Sequence, residues 1–213
     1  MKIFAQLKNS LSNLFGASRG ETKQIGIYGP TNSGKTTFAN RVVRDWKGEE
    51  MGTIQDVPHE TRRVMKEEGV TIERGNSMVE MNIVDTPGVE TKIDKEELMD
   101  DHGFEEDDAV RRSREAAQGV GEAMRWLRED IDGVLYVLDS TKDPLAEVNN
   151  VLTGIIESKD IPVLILANKI DLEESDVRQI RQVYPQHEVI QMSAKEGDNM
   201  DEVYDKIADK FGR

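Results

Sequence analysis

The eight residues Gly29-Pro-Thr-Asn-Ser-Gly-Lys-Thr36, GPTNSGKT, follow directly on the short apolar run QIGIYG. Their spacing is that of G-x-x-x-x-G-K-[ST], and it constrains the fold more than anything else in the chain. Glycines at those positions let the backbone wrap closely enough for several N–H groups to point at one anion. The pattern works only in one setting, with a buried strand in front and the N-terminus of a helix behind. Both flanks are present: QIGIYG has the character of a short buried strand, and Thr36 to about Trp46 reads as a helix opening from the loop. In that setting Lys35 reaches the terminal phosphates of a nucleotide and the Thr36 hydroxyl binds Mg2+. The plainer alternative is a glycine turn carrying a solvated lysine.

The remainder of the chain repeats the strand–loop–helix order. Residues 63–72 and 78–84 read as two strands joined by a turn at RGNS, and the second runs into DTPG. An acidic stretch, DKEELMDDHGFEEDD, has no apolar periodicity, and a long helix is expected from about Asp108 to Glu129. GVLYVLD and IPVLILANKID are apolar enough to be buried on both faces, with a helix over 145–158 between them. A helix over 175–183, a last strand in EVIQMSA and a closing helix over 200–211 complete the pattern. Near-continuous apolar strands alternating with helices predict an α/β chain of three layers, α/β/α, with a mostly parallel six-stranded sheet.

The phosphate loop does not choose a base; Asn168-Lys-Ile-Asp171 does. NKID lies at the carboxyl end of a predicted buried strand, where ligands bind in open α/β sheets. A buried Asp171 carboxylate can accept from both the N1–H and the exocyclic amine of guanine, whereas adenine offers no such donor pair and would leave it unpaired. Ser193-Ala194-Lys195, after the last strand, is placed for a backbone N–H to reach guanine O6. The nucleotide-binding set is therefore Asn32, Ser33, Gly34, Lys35, Thr36, Thr37, Asn168, Lys169, Asp171, Ser193, Ala194 and Lys195.

In their order, GPTNSGKT, DTPG, NKID and SAK resemble the motif set of GTP-binding proteins of the translation-factor class, and the loop asparagine with DTPG looks most like the Era/TrmE-type branch. The resemblance covers about residues 24–213. It implies a P-loop NTPase with a Ras-like fold, a GTP/GDP switch and Mg2+-dependent hydrolysis. It assigns Asp85 to the aspartate that holds Mg2+ through water, and the Gly88 N–H to the γ-phosphate. A second metal-binding threonine belongs between Gly48 and Arg63, where Thr61-Arg62 fits the family pattern and Thr53 is the other candidate. Asn32 stands where some members use asparagine to help coordinate K+ beside the phosphates; it also suits a tight loop on conformational grounds alone. The catalytic set so implied is Asn32, Lys35, Thr61 and Gly88. Val89 follows DTPG where Ras-like proteins carry the glutamine that orients water, so intrinsic hydrolysis is expected to be slow. Arg111, Arg112 and Arg114 are substitutes by position only, and His59 and His102 suggest no definite chemistry.

Residues 1–16, MKIFAQLKNSLSNLFG, stand apart, joined by a polar linker over 17–23 to the domain over 24–213. Ile3, Phe4, Leu7, Leu11, Leu14 and Phe15 recur at helical spacing, and residues 1–20 hold Lys2, Lys8 and Arg19 but no acid. Such an amphipathic helix, similar to that of Arf-family GTPases, has three destinations open to it: an anionic membrane surface, a partner protein, or its own domain. A nucleotide-dependent dimer is a further partner class left open. The net charge of −14 repels phosphate polymers, and no Gly-rich basic loop or aromatic–basic cluster is present, so nucleic acid is not expected; a ribosome- or RNA-associated GTPase of the Era type is the alternative function that the resemblance implies. With no cysteine, no membrane-length apolar run and no apolar leader, the expected location is the cytoplasm, or the membrane periphery in the case where residues 1–16 meet lipid.

Overall fold

The computed structural model describes residues 22–48, 65–86, 88, 121, 124, 125, 127 and 131–212. Six strands form one sheet in the order β2-β3-β1-β4-β5-β6. They are β1 (Lys23–Tyr28), β2 (Met65–Arg74), β3 (Ser77–Asp85), β4 (Gly133–Asp139), β5 (Val163–Asn168) and β6 (Glu188–Gln191). Only β2 runs antiparallel, paired to β3 across the turn at Gly75 and Asn76; the other neighbours are parallel. The described helices are α1 (Lys35–Lys47), α2 (Glu147–Glu157), α3 (Val177–Val183) and α4 (Met200–Phe211). Gly121, Met124, Arg125 and Leu127 are helical as well, within the long helix that the sequence predicts.

Period-two alternation sends each strand's side chains into two cores. Ile25, Ile27, Leu135, Val137, Leu164 and Leu166 meet Phe38 and Val42 of α1 and Val203 and Ile207 of α4 on one face. Tyr28, Val134, Tyr136, Ile165 and Ala167 meet Leu152 and Ile156 of α2 and Ile180 of α3 on the other. The expected three layers and six strands are therefore present. Element ends differ by a few residues, for local reasons. Asp176 accepts from Arg178 N–H and so caps α3, which begins at Val177 rather than at Ser175. The last strand stops at Gln191 because Ser193 to Gly197 close a loop, with Gly197 N–H donating to Ser193 O.

The parallel register aligns the carboxyl ends of β1, β3, β4 and β5 along one sheet edge. Ile27 lies opposite Asp85 and Leu135, and Asp139 opposite Asn168. Each of the sequence motifs in the described residues begins at that edge.

Candidate nucleotide-binding site

The loop between β1 and α1 is held by backbone geometry that few residues tolerate. Gly29 has φ 147° and Gly34 φ 95°, and a Cβ on them would stand 2.1 Å from Val137 O and 2.2 Å from Asn168 Nδ2. Only glycine fits either place. Asn32 has φ 59°, the left-handed region that asparagine tolerates better than most residues, which directly supports its conformational role. Lys35 is buried, and its Nζ donates to Pro30 O at 2.7 Å across the loop. Ser33 is fully buried and its Oγ has no hydrogen-bond partner among the described residues. Gly34 caps α1 without a side-chain bond and no acid lies in the first turn, so the positive field of the helix N-terminus is not answered from within α1. Thr37 is half-buried in that same turn.

Beside the loop, Thr36 Oγ1 donates to Asp85 Oδ2 at 2.7 Å. Asp85 ends β3 with no exposure, and its other oxygen, Oδ1, has no partner among the described residues. Burial pushes its carboxyl up to about 6, partly offset by the Thr36 hydrogen bond and the Lys35 charge. A hydroxyl beside a buried, half-satisfied carboxylate is hard-oxygen chemistry that fits Mg2+. Thr86 Oγ1 donates to Ile27 O at 2.6 Å, tying the DTPG segment to β1. Gly88 lies against the phosphate loop, where a Cβ would meet Thr31 Cα at 2.6 Å.

On the base side Asn168 is the central residue, 3% exposed. Its Nδ2 donates to Ser33 O at 2.8 Å and its Oδ1 accepts from Ala194 N–H at 3.0 Å, so one amide joins the phosphate loop to SAK. Lys169 has φ 69° and donates to Asp139 Oδ2 at 2.6 Å. Burial raises the Asp139 carboxyl, but the Lys169 contact and the hydrogen bonds from Thr141 outweigh it and leave it below the usual range. Asp171 departs from the sequence reading: it is exposed, because β5 ends at Asn168 and the left-handed Lys169 turns the chain outward. Ser193 and Ala194 are buried, whereas the Lys195 side chain is 80% exposed. The Ala194 N–H is committed to Asn168, which narrows the choice of backbone donor for a base carbonyl.

The fold thus gathers the phosphate loop, Asp85, Gly88, NKID and SAK at one edge. Thr61 and Thr53, Val89, the three arginines of 111–114, His59 and His102 lie outside the described residues, as do residues 1–21. Two contacts were not legible in the motifs. One is the Asp139–Lys169 pair. The other is Arg41 of α1, which donates from Nε to Ala194 O at 3.1 Å and from Nη2 to Lys195 O at 2.7 Å. Among the described residues no group of three or more His, Cys, Asp or Glu forms a further metal site, and no helix is long and apolar enough to cross a membrane.

A family model described as "50S ribosome-binding GTPase" matches residues 24–169. The chain is 26% identical over 191 residues to GTPase Era of Borrelia garinii subsp. bavariensis, which covers 87% of this chain and 55% of that one. It is 31% identical over 184 residues to the tRNA modification GTPase MnmE of Desulforamulus reducens, covering 85% of this chain and 33% of that one. It therefore spans about half the length of the Era relative and a third of the MnmE relative. Among solved structures, an Aquifex aeolicus Era variant bound to GDP.AlF4- matches with a TM-score of 0.64 at 21% identity, covering 91% of this chain and 58% of that one. Era in complex with MgGDPNP and nucleotides 1506–1542 of 16S ribosomal RNA matches with the same TM-score at 22% identity. These two share the fold. Since the family model matches well over half of its residues, the chain belongs to the 50S ribosome-binding GTPase family, with Era and MnmE among its relatives.

Proposed function

We propose that the chain binds GTP with Mg2+ and hydrolyses it to GDP and phosphate, acting as a switch between the two nucleotide states. The observation that carries this reading is the Thr36–Asp85 pair, whose buried Oδ1 has no partner among the described residues, at the start of the helix that leaves the phosphate loop. Thr36 and Asp85 would hold Mg2+, directly and through water, and Thr61 would supply a further oxygen. When bound, the ion draws charge from the phosphate oxygens.

The chain's own groups do the remainder. Lys35 and the N–H groups of Ser33, Gly34, Thr36 and Thr37 surround the phosphates, with the field of α1 behind them. The Gly88 N–H faces the terminal phosphate, where charge develops as its bond to the leaving oxygen breaks. Asp171 accepts from guanine N1–H and the exocyclic amine. Solvated in the free protein, it becomes a buried acceptor only when a base covers it, and discrimination against adenine arises at that point. Asn32 adds a K+ ligand beside the phosphates, and hydrolysis is slow because Val89 cannot orient water.

Titration calorimetry in Mg2+ tests the reading. GDP and GTP are expected to bind at least a hundredfold more tightly than ADP and ATP, two hydrogen bonds to one carboxylate being worth roughly 3 kcal/mol or more. Equal affinity for the two bases would refute it.

A second reading concerns partners. The family description names the 50S ribosome, and the solved Era complex contains 16S ribosomal RNA. This supports a ribosomal partner despite the net charge of −14. Co-sedimentation of the GTP-loaded chain with purified ribosomal subunits distinguishes the two. Retention in the subunit pellet favours it, and exclusion at all salt concentrations removes it.

A further inference from the structure

The peptide bond is planar and trans, so the C=O of one residue and the N–H of the next point in opposite directions from the same plane. Ala194 and Lys195 share such a plane, and Arg41 grips it. Its Nε donates to Ala194 O, and its Nη2 donates to the next carbonyl, Lys195 O. On the other side, Asn168 Oδ1 accepts the Ala194 N–H. The plane that carries the Lys195 N–H is thus fixed on both flanks, and that N–H is directed away from α1. A second plane is held too, because Glu196 N–H donates to Ser193 Oγ at 3.1 Å. Gly197, at φ 90°, brings the chain past the guanidinium, where a Cβ would lie 3.3 Å from Arg41 Nη1.

Arg41 lies two turns along the helix that begins at the phosphate loop. It therefore connects the element that receives the phosphates to the loop that faces the base. A lysine ammonium lacks the planar fork that supplies two donors at fixed spacing, so it would hold the two carbonyls less rigidly.

Resting on the guanine-binding reading above, we propose that Arg41 is a positioning residue for base recognition: it presents the Lys195 N–H to the 6-oxo group of guanine and so sets the lifetime of the bound nucleotide. Arg41 itself touches neither base nor phosphate. Its loss frees the Ala194–Lys195 plane to rotate, and the acceptor O6 loses a pre-aimed donor.

The test uses the full chain with Mg2+ and a fluorescent GDP analogue. Arg41→Ala is expected to speed release of the analogue about tenfold, the value of one such hydrogen bond, and to raise KM for GTP by a similar factor. The loss should fall on release and KM rather than on single-turnover cleavage of GTP already bound, because the phosphate side keeps Lys35, Thr36 and Asp85. Arg41→Lys should recover part of the slower release. The proposal is overturned if release is unchanged in Arg41→Ala. It is equally overturned if cleavage and melting temperature fall together with affinity and Arg41→Lys restores nothing, since that pattern marks a general packing role. A wild-type chain that fails to bind the analogue removes the guanine-binding reading itself, and this inference with it.

Discussion

Lys35, Asp171 and Asp139 each carry a separable part of the account. Lys35 is buried against its own loop with Nζ donating to Pro30 O, which holds the ammonium at the mouth of the phosphate loop. Lys35→Ala is expected to abolish nucleotide binding by calorimetry while the fold, followed by circular dichroism, persists. Asp171→Asn replaces an acceptor by an amide that can donate. It should weaken GDP by roughly 1.5–3 kcal/mol and favour xanthosine diphosphate, whose exocyclic oxygen accepts; unchanged preference in a competition assay would count against the assignment. Asp139 makes a pH prediction. Its carboxyl is held below the ordinary value by Lys169 and Thr141, so the folded chain binds its proton less tightly than the unfolded chain. The stabilisation is present above the ordinary carboxylate value, near 3.9, and is lost as pH falls through the lowered one. Asp139→Asn should therefore cost about 1 kcal/mol in urea unfolding at pH 7, with the difference shrinking toward zero in acid. At this scale the sequence was a good guide to residue identity and a poor one to burial. NKID marks Asn168 and Asp171 alike, yet one is enclosed by three elements and the other stands on the rim, a distinction made by the left-handed turn at Lys169.

Glycine punctuation and apolar runs made the elements legible: loop, helix and strand follow one another where the pattern places them. Contacts between elements were not legible, because they join residues far apart in the chain. Arg41 meets Ala194, Asn168 meets Ser33, and no spacing rule encodes such pairs. The junction of β1, α1 and β5 offers a test. Gly34 has φ 95°, and an added Cβ would sit 2.2 Å from Asn168 Nδ2. Gly34→Ala should displace the Asn168 amide from both Ser33 and Ala194, lowering stability by about 1–3 kcal/mol and weakening guanine binding together. A variant that melts and binds like the wild type would show that the loop does not need this backbone shape. The phosphate loop also carries the cation prediction. If Asn32 contributes to a K+ site, hydrolysis runs faster in potassium than in sodium at equal ionic strength, and Asn32→Ala removes the difference. Equal rates in the two salts leave its left-handed φ as its whole explanation.

One sheet, covered on both faces, brings four sequence segments to a common edge, and the chemistry follows from that convergence rather than from any one motif. Arg74 gives a further view of how the molecule is held: its guanidinium lies 5.6 Å from the Trp46 ring and 5.5 Å from the Tyr204 ring, joining β2 to α1 and α4. The fold class was readable because alternation of strand and helix is a property of the entire chain, sampled many times over. The surroundings of the cleavage step were less readable, since Thr61 and Val89 belong to segments whose roles come from family likeness rather than from patterning. The central claim is that this convergence cleaves GTP, with Mg2+ held at Thr36 and Asp85. Phosphate release from GTP and from ATP under single-turnover conditions, with Mg2+ and then with a chelator, measures it most directly. The account predicts slow release from GTP in Mg2+, and none from ATP, from Lys35→Ala or after chelation. Equal release from both nucleotides, or release from GTP that survives the loss of both Mg2+ and Lys35, would contradict it.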